Sequence, residues 1–527
     1  MYDLLITNGR IIDGTGNPWY RGDVGIKDGK IVRMGNLRGA ETKERIDVHD
    51  LVISPGFIDI HCHSDALLFV KPREQGKILQ GVTTETIGNC GISVAPIASD
   101  NQDSLKKYTS SILPYPMEWN WGSYGEFLAR VEEQQFISNV ASLVGHGTIR
   151  IAVMGFADRV PTEDELGMMK ELLAEALEAG AFGLSSGLIY APGVYSEKEE
   201  MIELSKVVAS KGGVYATHMR GEIDAVIDSV LESIEVAEKS GVSLEISHHK
   251  TAGKENWGKS KDTLLLVDQA RARGVDVTLD QYPYIAASTM LGVTLPPWVH
   301  VGGTNQVMER LRNPDCRKRI KEEMMTGVPG WENYVKACGW DKMIVATCNN
   351  NRNYEGKSIE EIAGLRGLDP ADAVFDLMLE EEGNILMIYF MMSEEDVTRI
   401  MRHPSVMIGS DAIPSPGKTH PRYYGAFPRV LGKYVREEKV LSLEEAVRKM
   451  TSFPAQKLGV FDRGILKEGM WADITVFDPD NVKDKATFMN PKQYAEGIEY
   501  VVVNGEVVVR NGKYTGSLPG KLLRKAR

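Results

Sequence analysis

The alternation of apolar and polar positions changes its period twice along the chain. The first fifty residues read as short strands. "DLLITNGRIID", "GDVGIKDGKIVRMG" and "ERIDVHDLVISPG" alternate apolar and polar side chains, with Asn8-Gly9 and Asp28-Gly29 as hairpin signals. The far end repeats the pattern: "ADITVFDPD" and "YVVVNGEVVVRNGKYTG" are broken by Asn504-Gly505 and Asn511-Gly512. Neither block holds enough strands for a stable sheet by itself. The two termini are therefore expected to pair into one small β-sandwich domain, residues 1–54 plus 465–527.

Between them, short apolar runs ending in polar residues alternate with amphipathic helical patterns, the mark of a parallel α/β architecture. Eight such runs occur: "GFIDIHCH", "GVTTETIGNC", "NVASLVGHG", "AFGLSSG", "GVYATHMR", "SLEISHHK", "VDVTLDQYPY" and "VMIGSDA". Thr162-x-x-Glu165, Ser196-x-x-Glu199 and Ser442-x-x-Glu445 read as capping boxes at helix starts. The pattern predicts a (β/α)8 TIM-like barrel over residues 55–464. A doubly wound open sheet is the alternative, but the first strand-to-helix turn lacks a Gly-rich phosphate loop. About 120 residues separate the seventh and eighth runs, too many for a plain connection. An insertion at about 286–345 is expected there, as a lid or pocket wall beside the barrel mouth.

Composition narrows the class. The 527 residues are 43% hydrophobic and 25% charged, with a formal charge of −12, as in ordinary globular proteins. No basic cluster stands out except the short "GKLLRKAR" tail, so no nucleic-acid partner is expected. Neither a secretory signal nor a bilayer-spanning run is recognisable. The five cysteines, Cys62, Cys90, Cys316, Cys338 and Cys348, are few and scattered, which fits a cytoplasmic protein better than a disulfide framework.

Candidate chemistry gathers at the ends of the eight runs. In "GFIDIHCHSD", His61 and His63 lie two apart and would point to one face beyond the strand end. A bare H-x-H pair is as readily two surface histidines, but the other runs supply partners. They end in Cys90, His146, Ser185 with Ser186, His218, His248-His249-Lys250, Tyr282 and Asp411. Six of the ten histidines fall at these positions. In a closed barrel the strand ends share one mouth, so imidazoles, a thiolate and a carboxylate would surround one point, a ligand set suited to zinc. Only one of His248 and His249 can face it, and His146, between two glycines, is a supporting candidate.

"VISPGFIDIHCHSD" with the terminal strands resembles the amidohydrolase superfamily, and "GNCG", "THMR", "SHHK" and "GSDA" resemble its N-acyl-D-amino-acid deacylases. The resemblance runs along essentially the whole chain. Many two-metal amidohydrolases bridge their ions with a carboxylated lysine on the fourth strand; here that run, "GAFGLSSG", has no lysine, and Cys90 would be the bridge. The resemblance implies zinc-dependent hydrolysis of N-acyl-D-amino acids. Cys90, His218 and His248 would hold a tighter zinc, and His61 and His63 with shared Cys90 a weaker one. Asp411 would be general base and acid, and Lys250, Tyr282, Ser288 and Arg422 would receive the substrate carboxylate. Relatives that prefer acidic side chains carry an arginine about a dozen residues after the pocket tyrosine. No Lys or Arg occurs from Pro283 through Glu309, so a neutral or apolar side chain is expected. A cyclic amidase of the hydantoinase or dihydroorotase type, and a non-catalytic scaffold of the same fold, are the alternatives. The first should carry the fourth-strand lysine; the second should have lost ligands that this chain keeps.

Overall fold

The computed structural model describes residues 1–71 and 73–526. Eight short parallel strands form its centre: Phe57–Asp59, Val82–Ile87, Asn139–Ser142, Gly183–Gly187, Val214–His218, Ser243–Ile246, Val277–Gln281 and Val406–Ile408. They are called the first to eighth barrel strands below. The ladders form two sheets, and two seams join these into a ring. Between the third and fourth strands the Phe182 N–H donates to the Ser142 carbonyl at 2.8 Å. Between the eighth and first, the Asp411 N–H donates to the His61 carbonyl at 2.7 Å and the His63 N–H to the Ala412 carbonyl at 3.0 Å. The ring is closed, and its strand ends meet at one mouth.

Helices cover the outside for the reason the periodicity gives. In Glu163–Ala179 the buried positions Met169, Leu173, Ala176 and Leu177 form one helical stripe facing the strands. Truncating a fully buried member such as Leu173 to alanine should cost about 2–5 kcal/mol. Thr162 makes the full capping box with Glu165, and Ser442 accepts from the Glu445 N–H. Ser196 does not cap: its hydroxyl donates to the Gly193 carbonyl, closing the short turn Gly193–Tyr195, and the helix begins at Lys198.

The terminal strands form one nine-stranded sheet in which Val52–Pro55 pairs antiparallel with Ile474–Phe477, joining the two ends of the chain. The sheet curls back, with the Ile31 N–H reaching the Met470 carbonyl, around a core that includes Leu4, Ile26, Ile53, Ile474 and Val502. Asn8-Gly9 is not a hairpin turn. Tyr2–Ile11 is one strand, and the ladder slips between Ile6 and Gly9 because Asn8 takes a left-handed φ of 62°. Past the sheet, the chain returns to the barrel, where Lys521 accepts from the Val140 N–H and Leu523 donates to the Val140 carbonyl.

The chain between the seventh and eighth barrel strands carries structure of its own. Ala286–Met290, Met343–Thr347 and Leu386–Phe390 make a separate antiparallel sheet, with Leu386–Phe390 in the middle. The run "LMIYF" has the apolar character of a barrel strand, and only its antiparallel partners assign it to the inserted unit.

Candidate metal centre and active site

Three side chains at the mouth stand on left-handed backbone: Cys90 at φ 53°, His248 at 36° and Asp411 at 50°. For residues with a Cβ such geometry costs about 1 kcal/mol or more, so the surroundings must hold it. Gly88 makes the Cys90 turn possible, since a Cβ there would lie 2.0 Å from the Leu143 carbonyl oxygen. Ser185 on the fourth strand accepts the Gly91 N–H at 3.0 Å and donates to the Gly88 carbonyl. Asp280 on the seventh strand accepts the His248 N–H at 2.9 Å. Each reversal aims a side chain across the mouth instead of along the strand.

The result is two overlapping ligand sets. His61, His63, Cys90 and Asp411 offer atoms all within 4.8 Å of one another, and so do Cys90, His218 and His248. Individual separations are 3.3 Å from Cys90 Sγ to His61 Nε2, 3.4 Å to His248 Nε2, and 3.2 Å from His63 Nε2 to Asp411 Oδ1. Ligands at zinc bond lengths in a tetrahedron lie roughly 3.3–3.8 Å apart, so these distances fit a cation. Both ring nitrogens of His218 are buried without a hydrogen-bond partner. Burial holds that imidazole below its ordinary pKa, in the neutral form a metal requires. Burial opposes ionisation of the Cys90 thiol, yet His61 and His248 beside it bring its pKa far below the usual range. The donor set therefore fits zinc, and Cys90 belongs to both sets.

Two carboxylates orient these ligands. Asp280 Oδ2 lies 3.2 Å from His61 Nδ1, which leaves Nε2 facing Cys90. Glu222 accepts from Lys250 at 2.6 Å, Lys250 Nζ lies 2.8 Å from His248 Nδ1, and Glu222 itself stands 3.0 Å from that nitrogen and 3.7 Å from His218 Nε2. Asp280 thus fixes the tautomer of His61, and Glu222 with Lys250 holds the His248 ring in place.

A cavity opens over the centre, lined by His63, Cys90, His218, His248 and Asp411 and by Lys250, Tyr282 and Ser288. The Tyr282 hydroxyl is buried and unpartnered. Ser288 Oγ donates to the Met387 carbonyl at 2.7 Å. Arg422 lies behind the cavity, fully buried, with Nη1 on Asp411 Oδ2 at 2.7 Å and its guanidinium 4.7 Å from the Tyr282 ring centre. Burial raises the Asp411 carboxyl, but Arg422, His248, His63 and His61 together hold it well below the usual carboxylate range.

All five expected metal ligands thus come together with Asp411, Lys250, Tyr282 and Ser288, and Arg422 touches the set through Asp411. His249 turns away to Thr263, at 2.8 Å. His146 starts a helix and bonds Glu200 at 2.7 Å, outside the ligand sets. Neither Asp280 nor Glu222 is among the residues expected from the sequence. Strand alternation was a signal for Asp280, since it puts that residue on the same face as Tyr282 two residues on, whereas Glu222 lies in the irregular loop after His218, where no period applies.

A closed parallel barrel with a histidine–cysteine–carboxylate centre at its mouth defines a metal-dependent hydrolase of the amidohydrolase type. Residues 44–509 match the amidohydrolase family, and the chain belongs to that family. It is 38% identical to the N-acyl-D-glutamate deacylase of Alcaligenes xylosoxydans xylosoxydans over 525 residues, 99% of this chain and 96% of the relative. A solved D-aminoacylase, studied for its binuclear metal centre with one-metal activation and second-metal attenuation, matches at 37% identity and TM-score 0.85, covering both chains fully. The N-acyl-D-glutamate deacylase of Bordetella bronchiseptica, solved with zinc and a phosphonate mimic of the tetrahedral intermediate, matches at 35% and 0.84, covering 99% of each chain.

Proposed function

We propose that this enzyme hydrolyses the amide bond of N-acyl-D-amino acids to a D-amino acid and a carboxylate, and that zinc is its cofactor. The observation that carries this reading is the pair of ligand sets sharing Cys90, with Asp411 at their edge and a cavity lined by Lys250 and Tyr282 above. Cys90, His218 and His248 would hold the tighter ion, and His61 and His63, with Cys90 shared, a weaker one. One-metal activation and second-metal attenuation in the D-aminoacylase relative support two unequal sites. The D configuration rests on the relatives alone.

Zinc, when bound, supplies Lewis acidity for the attacking water and the scissile carbonyl. Asp411 takes the water proton at Oδ1, the oxygen facing His63, and returns it to the departing nitrogen. Arg422 on Oδ2 fixes the carboxylate plane, so that one oxygen stays free for proton transfer. Lys250 and the unpartnered Tyr282 hydroxyl receive the substrate carboxylate, with Ser288 beside them and Arg422 contributing charge from behind. The domain division at 1–54 with 465–527 and 55–464, and a cytoplasmic location, belong to the same proposal. No helix among the described residues is long and apolar enough to cross a membrane.

A second cavity supports a neutral or apolar substrate side chain. Tyr190 lines both cavities, and Met290, Val293, Leu295, Met308 and Trp331 line the second. Lys107, at its exposed rim, bonds Asn305 at 2.9 Å. His300 is neutral, since burial brings its pKa down to about 4. An acidic side chain entering there would lose its hydration without gaining a buried cation.

The test is turnover of paired N-acetyl-D- and N-acetyl-L-amino acids after zinc reconstitution. Hydrolysis of the D-methionine, D-leucine or D-phenylalanine compounds is expected. No turnover of any D-compound would overturn the activity. Better kcat/KM on N-acetyl-D-glutamate than on N-acetyl-D-methionine would overturn the side-chain reading.

A further inference from the structure

The Glu332 carboxyl group ties the inserted unit to the loop beside the metal centre. Glu332 Oε2 accepts two backbone N–H bonds from the loop after the fifth barrel strand, from Glu222 at 2.8 Å and Ile223 at 2.6 Å. The side chain of the same Glu222 takes Lys250 at 2.6 Å and stands 3.0 Å from His248 Nδ1. Its carbonyl accepts from the Ala252 N–H at 2.8 Å. Glu222 is therefore held at its backbone N–H by the insertion while its side chain holds a substrate-site lysine, whose Nζ lies 2.8 Å from Nδ1 of the metal-site histidine His248.

We propose that Glu332 is a positioning residue, through which the inserted unit sets Glu222 and thereby the orientation of His248 and Lys250. A carboxyl group is costly to bury unless its oxygens are used, and Glu332 is 8% exposed. An apolar side chain would have served if the insertion only covered the mouth. Gly221 makes the close approach possible, since a Cβ there would lie 2.7 Å from Glu332 Oε1. The neighbours of Glu332 are substrate-facing as well: Trp331 lines the apolar cavity and Tyr334 the metal cavity. Their segment is tied to the insertion by Asn333, which caps Tyr334–Cys338 and donates to the Met324 carbonyl at 2.8 Å. One stretch thus carries a lining residue of each cavity and the grip on Glu222. The grip needs an acceptor oxygen at the right reach and not a negative charge.

The inference rests on the deacylase reading for its substrate arm only; its zinc arm is independent of any substrate. Zinc release from the holoenzyme to a chelator and the KM and kcat on N-acetyl-D-methionine are measured for the parent, Glu332→Gln and Glu332→Ala. Glu332→Ala is expected to release zinc about tenfold faster or more, the usual scale for losing a ligand's supporting partner. Its KM should rise by a similar factor, with the smaller change in kcat. Glu332→Gln, which keeps the acceptor, is expected within about twofold of the parent on both. Should Glu332→Ala fail to fold, Glu332→Asp withdraws the oxygens by one methylene and takes its place under the same thresholds. A folded Ala or Asp variant with parental zinc release and KM overturns the proposal, and so does a Gln variant as impaired as Ala. A parent that binds zinc but turns over no N-acyl-D-amino acid overturns the substrate reading and leaves the zinc arm to decide this one.

Discussion

Asp280 Oδ2 lies 3.2 Å from His61 Nδ1, and both groups are buried. That contact makes Nδ1 the donor and leaves Nε2 to face Cys90 Sγ at 3.3 Å. The other oxygen of Asp280 holds the left-handed turn at His248. One carboxylate therefore sets a ligand of each metal set. Asp280→Asn replaces an acceptor with an amide whose N–H₂ end faces a donor on one side or the other. The variant is expected to bind zinc about 10–100-fold more weakly, measured by chelator competition, with His61 and His248 still in place. Unchanged zinc affinity would remove the orienting role.

Asp411 presents a different test because it accepts from Arg422 at 2.7 Å and also faces His63 at 3.2 Å. Asp411→Asn keeps the shape but cannot take up a proton. It should fold and keep the zinc held by Cys90, His218 and His248, while kcat falls by about 10²–10⁴-fold, the usual worth of general acid–base catalysis. Metal analysis alongside steady-state kinetics checks both halves. Near-parental kcat would move the proton-transfer role to another group.

Most of this arrangement is legible in the amino-acid sequence. The eight runs and their polar ends are strands whose alternation and termini follow from local pattern, so His61, His63, Cys90, His218, His248 and Asp411 could be gathered by topology alone. What local pattern cannot supply is a partner chosen across the fold. Asn8-Gly9 has the sequence of a turn, yet the strand runs through it because its neighbours supply a ladder on both sides. "LMIYF" reads like a barrel strand because burial on both faces erases alternation. Glu222 and Glu332 are 110 residues apart in loops, and nothing in either stretch announces the other.

Glu332 also gives a pH dependence of stability. Burial lifts its carboxyl to about 7 from an ordinary 4.5, against the backbone N–H groups of Glu222 and Ile223, which favour the ionised form. Between those values the folded protein binds a proton that the unfolded chain has released. The stability associated with that proton is fully present below about pH 4.5 and is lost as pH rises through about 7. The loss is at most about 3 kcal/mol, from a shift of roughly two and a half units. Glu332→Gln has no such slope. Denaturant midpoints of parent and variant, compared between pH 5 and pH 8, should therefore shift in favour of the variant as pH rises. A constant difference across that range would show that Glu332 titrates near its ordinary value.

The apolar cavity makes the last prediction, at Leu295. This side chain is 1% exposed and lines the cavity together with Met290 and Val293, beyond the Tyr190 wall. Leu295→Arg would place a guanidinium where the described walls offer no buried carboxylate among the lining residues. With an apolar substrate side chain the charge stays unpaired, and kcat/KM on N-acetyl-D-methionine should fall by about 1–3 kcal/mol in transition-state terms, or roughly 10–200-fold. With N-acetyl-D-glutamate the same charge gains a carboxylate partner, so its kcat/KM should rise relative to the parent, reversing the order of the two substrates. The comparison separates specificity from damage: a variant that is merely misfolded loses both activities together, whereas a cavity that reads the side chain exchanges one for the other. If neither substrate responds to Leu295→Arg while the protein remains folded, the cavity does not receive the side chain.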